Sequence, residues 1–518
     1  MNYNFVMKLM EFFKINNSYK TTKNSLLCST IVGLISYILI VVYRVADPDT
    51  VIEGLTYYIN ATWAIVGCGR WMLPIINILS GNIIMPLFIV LFYCFAMWLS
   101  AFIICKVWNI ENSVLVTVIA AVMTVTPATI SQLVATYMGV CFSLACLLST
   151  IFIYCCFNKK NIFSWLVAIT CVVLSLALYQ SYVSYIACLS MMTIFIYCVF
   201  DKEVNETLNK LLKIIISAII GCLLYVVSNK VILAILHLES SSRLSTFSLT
   251  NIFSNLFNRI IEMYRTYLSY FNDAIMQRRI IYLLLFVLIV ICLIAELLKP
   301  KKLALKIIEV LCFILIPLAS NMIGIIIPDN PITILMTYQN ILIVPFAICL
   351  VSNLNIKYER IVNYICVVLS LCLCWTHIVS ANATYQCYKM SYDYNYNQYA
   401  EVIYDIQHYD GYIKDKTPVV IAGFFEDDAL RNNIKTYKYS VELFDNLVFW
   451  QTYGGATYNM QRYVLQYFGL DFIELSTDQY LSVINSKEFT DMSIWPDKNG
   501  IKMIDDYLVV KIGNNYIK

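Results

Sequence analysis

Along the first 381 positions, apolar residues fall into long runs broken by short polar segments. A helix rises about 1.5 Å per residue, so roughly 20 apolar residues cross the hydrocarbon core of a bilayer. Eleven runs meet that length, near 26–44, 83–105, 113–131, 134–157, 161–180, 182–200, 214–237, 280–297, 307–327, 332–352 and 361–381. The stretch from 161 to 200 is divided in two because about forty apolar residues would reach twice the core thickness. The run at 113–131 departs most from a plain span, with Pro127 and several hydroxyls near its end. Beyond Asn382 the runs shorten. The pattern there predicts a helix around Gln398–His408, a strand in Pro418–Phe424 and a helix around Asn459–Phe468. A closing hairpin is predicted over Trp495–Gly513, with its turn at Asp497–Gly500. The fold class is an α-helical polytopic membrane protein of about eleven transmembrane helices over 1–381, with a small C-terminal α/β domain over 382–518.

Composition narrows the class. The 518 residues are 60% apolar and only 13% charged, and mean hydropathy is +0.71; a soluble chain is nearer a quarter charged. A net charge of +3, with no basic patch interleaved with aromatics, excludes a nucleic-acid binder. Nearly all 19 cysteines lie in the apolar runs, where they pack as small apolar groups, and Cys387 alone falls in the tail. The first run is long enough to be a retained span and not a cleaved leader. Lysine and arginine then give an orientation. With the N-terminus cytoplasmic, 16 basic residues face the cytoplasm, among them Lys159, Lys160, Lys210, Lys213, Lys301 and Lys306, against 7 in the opposite short loops. The odd span count puts the tail outside. It carries 12 Lys+Arg and 18 Asp+Glu, an acidic segment suited to water.

Two outer loops, 45–82 and 238–279, are too long to be connectors. In the second, apolar residues recur at helical spacing through Asn251–Leu268, a helix lying in the membrane interface. In the first, Asp47 and Asp49 follow the first span directly, and Glu53 stands one helical turn beyond Asp49. Acids at that depth suit a general base, or oxygen ligands for a divalent ion such as Mg or Mn; a solvated turn capping the next helix accounts for them as well. Further on, Gly69–Arg70–Trp71 sets a guanidinium fit for phosphate beside an indole fit for a sugar face, or forms an interfacial anchor. Tyr179–Gln180–Ser181–Tyr182 offers hydrogen-bonding groups at the turn between the fifth and sixth runs. Lys230, inside the seventh run, should face a cavity or a partner, unless it snorkels to the interface. His237 and His377 read as packed or interfacial residues.

The acids after the first span, the Trp63…Gly69–Arg70–Trp71 segment, Tyr179–Gln180–Ser181 at an outer turn and the ending Trp495–Pro496–Asp497 through Val509–Val510–Lys511 together resemble the bacterial glucosyltransferase II family. Its members are integral-membrane enzymes that modify O-antigen and related surface polysaccharides. The acids here are split by Pro48, which leaves open which of the two acts. The resemblance implies a GT-C-like architecture in a bacterial plasma membrane, a polyprenyl-phosphate sugar as donor and a surface glycan as acceptor. It also implies coupling to the enzymes that make and flip the donor lipid. Asp47 or Asp49 would be the general base of an inverting transfer. Arg70 and Lys230, with Arg243 in reserve, would hold the departing phosphate, and Glu53, Trp63, Trp71, Tyr179 and Gln180 would line the substrate site. A lipid-linked oligosaccharide flippase or exporter would also need many spans and an inward lysine, but no repeat between two halves is visible. A membrane polysaccharide polymerase shares the donor chemistry.

Overall fold

The computed structural model describes residues 19–43, 65–79, 85–158, 161–200, 203–240, 256–272, 275–326, 332–353, 359–423, 425, 435–441 and 475–514. They form two compact units that divide between Asn382 and Ala383.

The first unit is helical throughout. It begins with α1 (Tyr19–Tyr43), the short α2 (Leu73–Leu79) and α3 (Pro86–Val107), whose proline sits at the helix start, where no amide hydrogen is needed. α1 meets its neighbours through small and hydroxyl residues, as helices do where apolar burial gives no preference for protein over lipid. A Cβ on Gly33 would lie 2.1 Å from the Cys94 sulfur, and Trp98 donates from Nε1 to Ser25 Oγ at 3.0 Å.

The run at 113–131 is a broken span. α4 (Ser113–Thr124) and α5 (Pro127–Val134) bend by 45°. Pro127 cannot continue the ladder of α4, and the Thr126 and Thr129 side chains and amides close a capping box that restarts the helix. The carbonyls freed at the break are taken up by other helices. Tyr37 of α1 donates to Thr124 O at 2.8 Å, and His377 Nδ1 donates to Val125 O at 3.0 Å. Irregular backbone at this depth is tolerated because it is enclosed by protein.

Then come α6 (Gly139–Asn158), α7 (Ile162–Leu178), α8 (Tyr182–Val199) and α9 (Val204–Ile235). α9 buries one stripe, Ser217, Gly221, Tyr225, Asn229 and Leu233, while Ile219, Leu223, Val227 and Val231 are exposed on its outer side. Of the helix expected in Asn251–Leu268, the described part is α10 (Leu256–Phe271), seated by Met263 and Tyr267. α11 (Met276–Leu298), α12 (Leu303–Ser320) and the short α13 (Met322–Ile326) follow.

Among the described residues eight helices are long and apolar enough to cross a membrane, or nine if α4 and α5 count as one span. The other two of the eleven expected runs fall short for different reasons. α7 has 17 residues. The run at 332–352 corrects the sequence reading more deeply: it enters as two 3-10 turns, Ile334–Met336 and Tyr338–Leu342, and only then becomes α14 (Ile343–Ser352). Its residues from Tyr338 to Val351 are buried in protein, with Tyr338 donating to Met123 O at 3.0 Å. Hydropathy does not distinguish a core-filling segment from a lipid-facing one.

α15 (Glu359–Gln407) runs from the first unit into the second as one 49-residue helix. The span at 361–381 and the helix at Gln398–His408, read as separate, are two parts of it. In the second unit β1 (Val419–Ala422) pairs parallel with β3 (Tyr507–Lys511), and β2 (Ile501–Ile504) pairs antiparallel with β3, in the order β1-β3-β2. α16 (Thr477–Ile484) and α17 (Lys487–Thr490) contribute Tyr480, Val483, Ile484 and Phe489 to a core with Val420, Ala422, Ile504 and Val509. The predicted hairpin exists, but its turn is displaced. Asp505 and Asp506 join the strands, with Asp505 at φ 50°, a left-handed conformation that Asp adopts more readily than most residues. Residues Lys498–Gly500 instead form a 3-10 turn, capped by the Asp497 carboxylate accepting from Asn499 N at 2.8 Å. The helix expected at Asn459–Phe468 lies outside the described residues.

Candidate active site around the Arg70 turn

The turn that carries Arg70 is locked from three sides. Gly69, at φ 84°, takes a conformation that a side chain would strain, and reverses the chain with its amide on Val66 O at 2.8 Å. Arg70 N donates to Ile65 O at 3.1 Å, and Met72 N to Ala177 O of α7 at 3.2 Å. The carbonyls of the turn point at side chains from elsewhere. Gln180, between α7 and α8, donates to Cys68 O at 2.5 Å, and Tyr225 of α9 donates to Gly69 O at 3.0 Å. Gln180 Nε2 also donates to the Tyr225 hydroxyl at 2.9 Å. A triangle of hydrogen bonds thus fixes the loop on which the guanidinium stands.

Arg70 lies over the Tyr179 ring, 5.1 Å from its centroid, and donates from Nη1 toward the Met138 sulfur at 3.3 Å. A cation over an aromatic face is worth about 0.5–2 kcal/mol and keeps its charge. The Tyr179 ring is itself braced edge-to-face by Phe142 at 4.9 Å. Tyr182 continues the aromatic row at 6.3 Å from Tyr179, then Tyr185 at 5.9 Å and Tyr338 at 5.6 Å, which leads from Arg70 into the bundle core.

Three side-chain atoms on the turn or on elements that touch it are buried with no hydrogen-bond partner among the described residues: Trp71 Nε1, Thr136 Oγ1 and, one helical turn beyond Tyr225, Asn229 Oδ1. A buried polar atom left so costs about 1–3 kcal/mol.

The sequence-derived candidates separate on this geometry. Arg70, Trp71, Tyr179 and Gln180 come together. Lys230 does not join them: it is exposed on α9, and its neighbour Asn229 turns inward instead. An exposed lysine at this position can reach polar surroundings along its flexible stem, the second of the two accounts the sequence left open. Asp47, Asp49, Glu53, Trp63 and Arg243 lie outside the described residues. Among the described residues no group of three His, Cys, Asp or Glu could hold a metal ion. His377 is buried and engaged by the helix break and by Tyr282 at 3.3 Å, a packed role.

Sequence reading passed over Tyr225, Thr136 and Met138. Tyr225 had a signal: Ser217, Gly221, Tyr225 and Asn229 are spaced by four among mostly aliphatic neighbours, which marks a stripe facing other protein. Thr136 and Met138 had none, since only the bend at Pro127 delivers their 3-10 turn to Arg70.

No curated protein and no solved structure matches the chain. The family model described as Glucosyl transferase GtrII matches residues 37–344, more than half of the chain and a range that holds the first-loop acids, the Arg70 turn, Tyr179–Gln180 and Tyr225. On that match, a helical membrane-type bundle with an arginine turn built at one of its loops belongs to the GtrII glucosyl transferase family.

Proposed function

We propose that this protein transfers a hexose, glucose by the family's description, from a polyprenyl-phosphate carrier to a surface glycan, with inversion at the anomeric carbon. The acceptor hydroxyl oxygen attacks that carbon, its proton passes to Asp47 or Asp49, and the bond from the carbon to the phosphate oxygen breaks. The phosphate leaves as a monoester with one more negative charge than the diester it came from. Arg70 stabilises that added charge, which develops only as the bond breaks, and is therefore effective in the transition state. Tyr179 supports the guanidinium from below, and Trp71 offers a face to the sugar. A donor carried by lipid is consistent with a site without a nucleotide-phosphate loop.

In this reading the chain sits in a bacterial plasma membrane with its N-terminus cytoplasmic, and the acidic C-terminal unit lies outside, where it helps place the acceptor. It depends on separate enzymes that make and flip the donor lipid.

The observation that carries the reading is the Arg70 turn, fixed by Gln180 and Tyr225 within the family-matched range. The test is transfer from a polyprenyl-phosphate hexose by the reconstituted protein and its Asp47→Asn, Asp49→Asn and double variants. Loss in one single variant and in the double variant identifies the base. Undiminished transfer by the double variant discards the mechanism. Glycan mass spectrometry of a deletion strain gives a second check: a missing side-branch hexose agrees, whereas shortened chains would mean a polymerase and accumulated lipid-linked intermediate a flippase.

A further inference from the structure

The part of α15 that belongs to the second unit is rich in tyrosine: seven of the 25 residues from Ala383 to Gln407, mixed with Asp, Asn, Gln and Glu. Helix geometry sorts its faces. Tyr399, Val402, Ile403 and Ile406 are buried and seat the helix on its unit, with Tyr399 edge-on to Phe425 at 5.0 Å. Asp405 accepts from Trp495 Nε1 at 2.8 Å beside them. The outer side carries two rows at four-residue spacing. One is Tyr396, Ala400, Tyr404 and His408, and next to it run Asn397 and Glu401. Tyr396 is 42% exposed and Tyr404 61%; Asn397, Glu401 and His408 are exposed as well.

The first row has the shape of a saddle. Ala400, its smallest residue, sits between two tyrosines about 12 Å apart along the helix axis. Tyr404 is braced by its neighbour. The His408 ring stacks on it at 4.0 Å, 28° from parallel, and His408 Nδ1 donates to Tyr404 O at 2.8 Å. A ring fixed before binding loses little freedom when a ligand lies on it.

Charge narrows what can lie there. No lysine or arginine occurs from Met390 to Ile413, whereas Asp393, Glu401, Asp405 and Asp410 do, and Lys389, just before this stretch, is paired with Asp393. Such a face repels phosphates and anionic headgroups. Tyr404 also stands 23 residues past Ala381, where the apolar run stops. That is about 35 Å of helix, a longer reach than a headgroup layer is thick. A neutral pyranose suits the face on both counts. Its C–H side lies on a tyrosine ring, and its hydroxyls donate to the Glu401 carboxylate and the Asn397 amide oxygen.

We infer that this face of α15, with Tyr396 and Tyr404 on either side of Ala400 and Asn397 and Glu401 alongside, binds a neutral oligosaccharide, the acceptor glycan of the transfer. The word acceptor rests on the proposed function; the sugar-binding face does not. These are positioning residues, and none of them takes part in the bond exchange.

The experiment uses the full chain in proteoliposomes and, as probe, surface polysaccharide purified from a deletion strain. Direct binding and the KM for that glycan are measured for the wild type, Tyr396→Ala, Tyr404→Ala and Tyr404→Phe. Tyr439→Ala is the control, 44% exposed in the same unit but on the 3-10 turn Lys435–Tyr439. Each helix alanine should weaken binding and raise the glycan KM roughly threefold to tenfold, with kcat at saturating glycan and the KM for donor lipid unchanged. Tyr404→Phe keeps the ring and should bind within about twofold of the wild type. Binding should persist in high salt, since no charge pair carries it. Wild-type binding by both helix alanines overturns the inference. So does an equal loss in Tyr439→Ala, or collapse in high salt, which would mean a charged partner. The two readings also separate. Hexose transfer with an unaltered glycan KM in both alanines sinks the face and keeps the proposed function. Glycan binding that those alanines weaken, in a chain that transfers no hexose, keeps the face and sinks the proposed function.

Discussion

Two sets of polar residues in the helical unit are built on opposite principles. Around the ends of α6, α8 and α11, Lys210, Lys213, Lys301 and Lys306 are matched. Lys210 and Lys213 donate to Phe157 O and Cys155 O in the last turn of α6, Lys213 at 2.8 Å. Lys301 reaches Cys198 O and Val199 O at the end of α8, each at 3.4 Å, and Lys306 reaches Leu297 O of α11 at 2.6 Å. These are final-turn carbonyls, a class left short of intrahelical partners, and an ammonium there also suits the negative end of the helix dipole. Lys301 bridges the buried Glu296 and Glu309 at 2.8 and 3.0 Å. Burial alone would depress its ammonium, but the two carboxylates hold its pKa above the ordinary value. One atom, Glu309 Oε2, is left over among the described residues. On the Arg70 turn and the 3-10 turn that touches it, by contrast, Trp71 Nε1 and Thr136 Oγ1 are left over among the described residues. Matched polar groups hold a fold; unmatched ones in company wait for something else.

The contrast can be broken by substitution. The largest effect is expected at Lys301→Met, which leaves the buried Glu309 without its cation and Glu296 with Lys299 alone, and should cost about 3–5 kcal/mol of stability. Thermal unfolding in detergent should show it, with partial rescue when Glu309→Gln is added, and transfer per folded molecule should be unchanged. Arg70→Ala should do the reverse: unfolding close to wild type and kcat down by roughly 100- to 1000-fold. A shared loss of stability and activity in both variants would erase the distinction. Tyr225→Phe removes the hydroxyl that anchors Gly69 O and receives from Gln180. About 1 kcal/mol, read as a several-fold fall in kcat/KM, is the expected cost. Lys230→Leu should be the mildest, within about 0.5 kcal/mol by either measure, because the side chain is exposed. A large loss of transfer there would return that lysine to the site.

Much of this was legible in the chain. Apolar run length located the spans because a bilayer fixes a helix's length. The run at 332–352 misled because burial in protein and burial in lipid select the same residues. The Trp495–Gly513 hairpin was visible in its alternation, but Asn499–Gly500 is a stronger turn signal than Asp505–Asp506, and the close approach of Gly500 to the Trp495 backbone had no trace in sequence. At the site, Arg70 and Gln180 stood out as polar groups at loop positions. Their joining through Tyr225, 45 residues beyond Gln180, depends on helix packing and could not be read along the chain.

The break between α4 and α5 has a consequence for how the molecule is assembled. One of its carbonyls is taken by Tyr37, in the first described helix, and the other by His377, in the helix that ends the bundle. Synthesis proceeds from the N-terminus, so the seal from His377 arrives only after every other helix of the unit has been made. A ribosome-released fragment lacking α15 would insert its helices yet keep a loosened bend. The Thr136 turn hanging from that bend would then lack its final position until the last hydrophobic segment docks.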